Sequence, residues 1–416
     1  MKLFVRPEWP ITAIRSGGTK VMTKEYGELV DMESGCWASV LGHNHPDVVK
    51  VIHEQVDTLF HTHQYFETEQ PAKLVEELTE AANLYTKYSG CFLSSGSEAV
   101  SLAVMLSELL TGRRKKLSMN ISYLGACADL RHPRDSMYWD DIDVTECLRC
   151  GADYSGVKCD NISDTDENLE DKGRDCSSCG RYNHLDFSRY ASFVFEPGNS
   201  GGMVLLPPER LVNFLARKVR SAGGLLVVNE VTTGFGRTGK WFGFQHYGFL
   251  NNETGAPDFI ALGKGLGNGY PISAVLARES LAVAAEKTGF RYVQSHIDDP
   301  MGCRIAREVV SVMAKGSWVL KGSEMGEYLR LRLADIAAGN KLIKEIRGRG
   351  MMNVVMLESG VSAGAVFKGL LERGYFCGYS EQLRFIHLYA PLIISREDVD
   401  GFCSAFEQVL NIEDWT

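Results

Sequence analysis

The sequence predicts an α/β protein of buried strands and amphipathic helices, and three features point there. The runs 191–195, 225–228 and 259–262 are short and uninterruptedly apolar, as strands buried on both faces read. Segments 48–59 and 72–82 space their apolar residues at helical intervals, with charges on the opposite face. Glycine-rich turns follow the strand runs, the densest at Gly263, Gly265, Gly267 and Gly269, where the backbone must turn sharply.

With 416 residues, of which 44% are hydrophobic and 23% charged, the chain is long enough for two domains with substantial cores. Its net charge of -9 argues against nucleic acid or an anionic membrane as partner. No apolar run approaches the roughly 20 residues that span a bilayer, and the opening MKLFVRPEWP does not read as a secretory signal. A cytoplasmic location is expected. Of the 11 cysteines, five fall between Cys147 and Cys179. Others, such as Cys91, Cys127 and Cys403, lie in apolar contexts where a thiol serves as a small hydrophobe.

The stretch that organises the rest is 257–275, PDFIALGKGLGNGYPISAV, with Lys264 at its centre. In a glycine-rich, partly desolvated turn the ammonium form of a lysine is disfavoured, and the neutral amine can attack an aldehyde to form a Schiff base. A solvated loop lysine is the plain alternative, and neither dinucleotide nor Walker spacing is met here. The chain also carries LLVVNEVTTGFGRTGKWFGF at 225–244, SGCWASVLGHNHP at 34–46 and HLYAPLIISRED at 387–398. Together these segments resemble the signature of the class III (omega or ornithine-type) aminotransferases, which are fold type I pyridoxal phosphate enzymes. The resemblance covers most of the chain.

It implies a large domain at 45–290, with a mainly parallel sheet of seven-stranded type between helices, and a small α+β domain made from residues 1–44 and 291–416. It implies pyridoxal 5'-phosphate as cofactor, held by Lys264 as a Schiff base. It further implies a homodimer with shared active sites and a small amine or amino acid as substrate.

Residues 16–46 read as short strands broken by glycine turns, ending at the loop His43-Asn44-His45-Pro46. A metal reading of His43, His45, His61 and His63 lacks an accompanying carboxylate pattern, so loop and packing roles are expected. The resemblance makes this loop a turn between domains. After the two helical segments, YSGCFLSSGSEAVSLAVMLSELLTG gives a strand, a Ser-Gly-Ser turn and a helix closed near Gly112. Such a turn aims free N–H groups and hydroxyls at one spot, where the helix dipole also favours an anion. On residues alone, 94–97 is a good N-cap; the resemblance makes Gly96 and Ser97 the cradle of the cofactor phosphate. SMNISYLGACAD at 118–129 resembles the family's aromatic-His-Gly element with Leu124 in place of the histidine. Tyr123 would then stack on the pyridine ring.

Residues 137–183 lose periodicity and turn acidic, with a cysteine-rich insertion at 140–183. It holds Cys147-Leu-Arg-Cys150 and Cys176-Ser-Ser-Cys179, with Cys159 between. Two C-x-x-C knuckles supply the four thiolates of a tetrahedral zinc site. An iron–sulfur cluster and plain or disulfide-linked surface cysteines are the alternatives. A metal there would brace a loop, away from the chemistry or at a subunit contact.

The run 191–195 ends in EPGNSGG, where Glu196 and Pro197 match the family's Glu-Pro-x-x-Gly element at the floor of the site. Gly201 stands where several members carry a second glutamate that neutralises a substrate-binding arginine. Asn229 follows the run 225–228 at a strand end, the place where open parallel sheets put their ligands. The segment 234–240 has the outline of a phosphate loop, but Trp241 stands where that loop needs Ser or Thr.

The family has aspartate at Asn229, which keeps the pyridine nitrogen protonated so that the ring absorbs electrons. A neutral amide lacks the opposite charge that moves a neighbour's pKa by roughly 1 to 3 units. By the same resemblance Val231 takes the other face of the ring, and Thr232 replaces a glutamine near the ring hydroxyl. Ser295 stands where a threonine reaches the phosphate of the neighbouring subunit. His387 occupies the place of an arginine that binds a substrate carboxylate, for which imidazole is a poor substitute. Trp37, Tyr65 and Phe66 lie in segments that approach the site, and each reads equally as core.

Transamination between an amine or amino acid and an oxo acid or aldehyde is therefore the first expectation. Racemisation, decarboxylation, elimination or carbon–carbon bond formation is the alternative, motivated by Asn229, Thr232, Gly201 and His387. A cofactor-binding protein without turnover is least favoured, because Lys264 and the phosphate cradle are intact.

Overall fold

The structure, a computed structural model, describes residues 11–149, 176 and 181–412. The chain opens with β1 (Ala13–Gly17), β2 (Lys20–Thr23) and β3 (Gly27–Asp31), an antiparallel meander. Helices α1 (Pro46–Val56) and α2 (Gln70–Ala81) each carry a proline in the first turn, where its missing N–H is not needed. β4 (Tyr88–Leu93) runs into α3 (Gly96–Thr111), followed by β5 (Lys115–Met119), β6 (Trp139–Ile142) and β7 (Tyr190–Phe195). Next come α4 (Glu209–Ser221), β8 (Leu225–Asn229), β9 (Phe259–Leu262), β10 (Ser273–Arg278) and α5 (Glu279–Lys287). The remainder is α6 (Pro300–Lys315), α7 (Trp318–Gly339), β11 (Ile343–Arg349), β12 (Met352–Leu357), α8 (Ala363–Leu371), β13 (Tyr375–Phe376), β14 (Gly378–Ser380), β15 (Phe385–Leu388) and α9 (Arg396–Leu410).

The central sheet has seven strands in the order β4-β10-β9-β8-β7-β5-β6. All pairs from β6 to β9 are parallel, and β10 runs antiparallel to both its neighbours. Alternation along the buried strands divides their side chains between two cores. Phe193, Phe195, Leu226, Val228, Ile260 and Leu262 pack with Leu211, Phe214 and Leu215 of α4. Val194, Val227, Phe259 and Ala261 face the other way, onto Ala99, Val100 and Ala103 of α3. Uninterrupted apolar runs arise because neither face of these strands meets water.

Helix α3 begins as its sequence requires. Ser95 Oγ accepts the Glu98 N–H at 3.3 Å and donates to the Glu98 carboxylate at 2.9 Å, a reciprocal cap that satisfies one of the open donors. Gly112, at φ 67, closes the helix in the left-handed region.

Two four-stranded sheets flank this body, β1-β2-β3-β13 and β11-β12-β15-β14. β13 pairs in parallel with β3, so the two ends of the chain share a sheet. Of the cysteine knuckles, Cys147 and Cys176 pack at the edge of the core, and Cys147 Sγ lies 3.2 Å from the Tyr182 hydroxyl. Cys150, Cys159 and Cys179 lie outside the described residues. No helix among the described residues is long and apolar enough to cross a membrane.

One buried carboxylate fixes the strands that matter most for the site. Asp258, just before β9, accepts Arg220 Nε at 2.9 Å and Nη2 at 2.7 Å, and the Leu226 N–H at 2.7 Å. It thereby ties α4, β8 and β9 together at the end opposite their functional tips. Replacing Asp258 by Ala leaves the guanidinium with only the carbonyls of Thr254, Gly255 and Ala256 and no opposite charge, at a cost of about 3–5 kcal/mol. The expected result is a large drop in the urea unfolding midpoint; an unchanged midpoint would show that the strands do not depend on this clamp.

Candidate active site

The C-terminal ends of β8 and β9 deliver the residues of the site, as open α/β sheets do. Gly263 follows β9, and Lys264 comes next with φ 43, a left-handed conformation uncommon for a residue with a Cβ. The glycines on either side are needed for close approach. A Cβ on Gly265 would come within 2.8 Å of Phe235 Cβ, and one on Gly263 within 3.3 Å of Val231 Cγ1.

Lys264 Nζ donates to Thr232 Oγ1 at 2.6 Å and lies 4.6 Å from the centroid of the Trp37 ring. Burial lowers its pKa, the Glu196 carboxylate and the Cys36 thiol act against that shift, and the Arg237 guanidinium reinforces it. Glu196 is itself pushed up to about 7 by burial, while the Ser200 hydroxyl, the Tyr123 N–H and Lys264 work to hold it down. Its two oxygens accept from Ser200 Oγ at 2.6 Å and from the Tyr123 N–H at 2.7 Å.

Asn229, 3% exposed, ends β8. Its Nδ2 donates to the Tyr123 carbonyl at 3.0 Å, and its Oδ1 accepts the Val231 N–H at 3.1 Å. Val231 packs so closely on the start of α3 that a Cβ on Gly96 would lie 2.6 Å from Val231 Cγ1. Ser97 Oγ accepts the Ala126 N–H at 2.9 Å, and Gly125 passes over Ser97 at φ 147. The structure therefore brings Gly96, Ser97, Tyr123, Glu196, Asn229, Val231, Thr232 and Lys264 into one connected cluster.

Trp37 joins that cluster from the N-terminal segment. Ser34, Gly35, Cys36 and Trp37 take φ values of 43, 56, 62 and 70, a run of left-handed residues that survives only when the surroundings impose it. The Asp31 carboxylate accepts the Glu33 and Gly35 N–H groups at 2.8 and 2.7 Å and is 2.7 Å from His43 Nε2. Glu33 Oε2 then accepts the Trp37 indole N–H at 2.7 Å. His387 Nδ1 is committed to the other oxygen of Glu33 at 2.7 Å, and its ring lies edge-on to Trp37 at 5.7 Å. Arg237, fully buried, donates to the Ala390 carbonyl at 2.6 Å and to Ser34 Oγ at 2.8 Å. Burial brings its pKa down to about 10.

Other expected residues fall outside the cluster. Ser295 is exposed after α5, and Tyr65 and Phe66 are 85% and 70% exposed rather than lining the lysine. Of the four N-terminal histidines, His43 pairs with Asp31, whereas His61 Nδ1 lies 2.6 Å from Asp299 Oδ1 with His296 alongside. His296 and Asp299 also line a cavity of about 210 Å³ with Ser94 and Tyr270.

Sequence reasoning missed Asp31, Glu33, Cys36 and Arg237. The available signal was at Arg237, a charge within the glycine-rich, largely apolar run 234–244; no local pattern marks the other three.

Comparison with known proteins gives these contacts a family. Residues 5–410 match the family model for aminotransferase class-III. An acetylornithine aminotransferase of Mycobacterium bovis is 30% identical over 412 residues, covering 97% of this chain and 92% of that protein. A leucine/methionine racemase of Thermococcus litoralis is 28% identical over 425 residues, covering 96% and 90%. The crystal structure of an S-selective transaminase from an Arthrobacter species with alanine bound superposes with a TM-score of 0.85. It has 22% identity and covers 100% of this chain and 97% of that one, which shows the same fold. The chain belongs to the class III aminotransferases, pyridoxal phosphate enzymes of fold type I.

Proposed function

We propose that Lys264 is the residue that carries pyridoxal phosphate, and that the enzyme moves an amino group between an amine or amino acid and an oxo acid or aldehyde. The observation that supports this reading most is the half-buried Lys264 amine, whose pKa is lowered by desolvation and which lies against Thr232 and Trp37 in the field of Glu196. The surrounding residues fit the cofactor. Gly96 and Ser97 open α3, where helix geometry leaves N–H groups outside the intrahelical ladder, and a side chain at Gly96 would collide with Val231. Tyr123 and Val231 would flank the ring, Asn229 would meet its nitrogen and Thr232 its hydroxyl. Ser295 of the partner subunit would complete the phosphate site in a homodimer.

When bound, the cofactor supplies an electrophilic aldehyde carbon and a conjugated ring that withdraws electrons from the substrate alpha carbon. Lys264 Nζ would hold the cofactor and, as a free amine, would be the base that accepts and returns the proton of the substrate alpha carbon. Glu196 holds Tyr123 in place and supplies the negative charge that favours the ammonium form of Lys264. Trp37 offers an apolar wall to the substrate. Arg237 is spent on the carbonyls of Ala390 and Met351 and on Ser34 Oγ, so a substrate carboxylate would not meet a guanidinium fork there. This favours substrates held by shape and aromatic contact.

A second reading, racemisation or another change at the alpha carbon, is favoured by the amide at Asn229 and by the likeness to a leucine/methionine racemase. One experiment separates them. Amines and amino acids are added to the purified enzyme without an oxo acid, and the cofactor absorbance is followed. Stoichiometric conversion to the amine form of the cofactor is expected, and is abolished in Lys264→Ala. Inversion of an amino acid without that conversion would overturn transamination.

Glu196→Gln keeps the acceptor for the Tyr123 N–H and removes the charge. Losing an opposite charge lowers a lysine pKa, so the pH midpoint for borohydride-trappable attachment of the cofactor moves down by about 1 to 3 units. An unmoved midpoint would show that Glu196 does not act on Lys264 through its charge.

We also place the enzyme in the cytoplasm, whose reducing conditions suit 11 cysteines. The knuckles Cys147/Cys150 and Cys176/Cys179 are proposed to bind zinc, supported by their spacing. Metal analysis is expected to find about one zinc per chain, lost in the Cys147→Ser/Cys176→Ser double variant. An equal metal content in the variant would refute the site.

A further inference from the structure

We infer that Asn229 holds the ring nitrogen of the bound cofactor unprotonated, by donating its second amide N–H to it, in an orientation locked by the backbone of Tyr123 and Val231. The inference rests on the assignment of Lys264 as the cofactor-bearing residue.

The direction of the amide is not arbitrary. A main-chain carbonyl can only accept a hydrogen bond and a main-chain N–H can only donate one. With the Tyr123 carbonyl 3.0 Å from Nδ2 and the Val231 N–H 3.1 Å from Oδ1, a flipped amide would set two acceptors against each other and two donors against each other. The oxygen is therefore turned to the Val231 backbone. Nδ2 carries two hydrogens, one of which goes to Tyr123, and the second is a donor at a side chain only 3% exposed. A buried donor left without a partner costs about 1–3 kcal/mol.

The cofactor's own chemistry says what that donor meets. Its aldehyde carbon and its ring nitrogen are on opposite sides of the pyridine, so a ring attached at Lys264 between Tyr123 and Val231 would carry its nitrogen away from Lys264, on the side where Asn229 bridges those two residues. Asn229 is the buried side chain that hydrogen-bonds both flanking residues. An unprotonated pyridine nitrogen accepts such a donor through its lone pair, whereas a protonated one presents a second donor to it. The amide also brings no negative charge to offset a buried cation, which desolvation disfavours. The carboxylate of Glu196 is engaged by the Tyr123 N–H and Ser200 Oγ.

The Tyr123 carbonyl adds a further point. An aspartate at this position would set a carboxylate oxygen against that carbonyl at the 3.0 Å now spanned by an N–H, so the local backbone suits the amide and not the acid. The ring's weaker pull on electrons is then a built property of this chain.

The test is to load the enzyme with pyridoxal phosphate carrying nitrogen-15 in the ring and to record its resonance in the holoenzyme. The expected wild-type signal is that of a neutral pyridine, unchanged across the neutral pH range. In Asn229→Asp the signal moves to the pyridinium position. A pyridinium signal in the wild type overturns the inference by itself, whether or not the variant folds. So does a neutral signal in a folded Asn229→Asp, because the amide would then not decide the charge. Borohydride reduction and peptide mass analysis run in parallel. If the label is not found on Lys264, the cofactor assignment fails, and this inference fails with it for a separately visible reason.

Discussion

Lys264 is half-buried, in the field of the buried carboxylate of Glu196, and much of the surrounding geometry follows from the cost of keeping it there. Removing an ammonium from water is expensive unless a partner offsets it, so the balance between amine and ammonium is set by how few charges surround it. Thr232 offers a hydroxyl, Trp37 an aromatic face, and Glu196 a charge that is itself weakened by burial. Thr232 Oγ1 lies 2.6 Å from Nζ and the Trp37 ring 4.6 Å from it. The glycines around Lys264 permit it, since Phe235 and Val231 leave no space for side chains at Gly265 and Gly263.

The same economy of charge runs through the wall behind the site. Arg237 is buried among carbonyls and a hydroxyl, Glu33 between an indole and an imidazole, and Asn229 between a carbonyl and an amide N–H. Most polar groups in such a wall are paired, as burial demands, with Arg237 Nε and the Tyr389 hydroxyl the exceptions. Pairing also leaves each with a fixed direction, which gives the site its preorganisation before any ligand arrives.

Much of the fold was legible because its signals are local. Strands 191–195, 225–228 and 259–262 are apolar throughout since both faces are covered, and the observed β7, β8 and β9 extend the first two by one residue each. The cap at Ser95 and the closure at Gly112 are written in adjacent residues. Lys264 and Asn229 were visible through the motifs that hold them. What stayed hidden depends on pairings far apart in sequence. His387 meets Glu33 across 354 positions, and Arg237 meets Ser34 across 203. Nothing in the local pattern marks Glu33 as the residue that grips Trp37, and the left-handed run at 34–37 exists only because Asp31 and Glu33 stabilise it. Ser295 is a different case, exposed here and readable only by its place in a motif.

The joining of the two chain ends has a consequence for how the enzyme is made. The segment that carries Trp37 is stitched to residues far along the chain, Ser34 and Tyr389 being 355 positions apart: the Tyr389 N–H donates to the Met32 carbonyl at 2.7 Å, the Leu392 N–H to the Val40 carbonyl at 2.8 Å, and Ser34 Oγ to the Tyr389 carbonyl at 2.6 Å. On the ribosome the first 40 residues emerge with no partner for these groups, and the central sheet can assemble from residues 88 to 278 while they wait. The wall over Lys264 therefore closes only after residues 389–392 have left the exit tunnel. A nascent chain that has made its lysine stays open above it until that distant segment has been made.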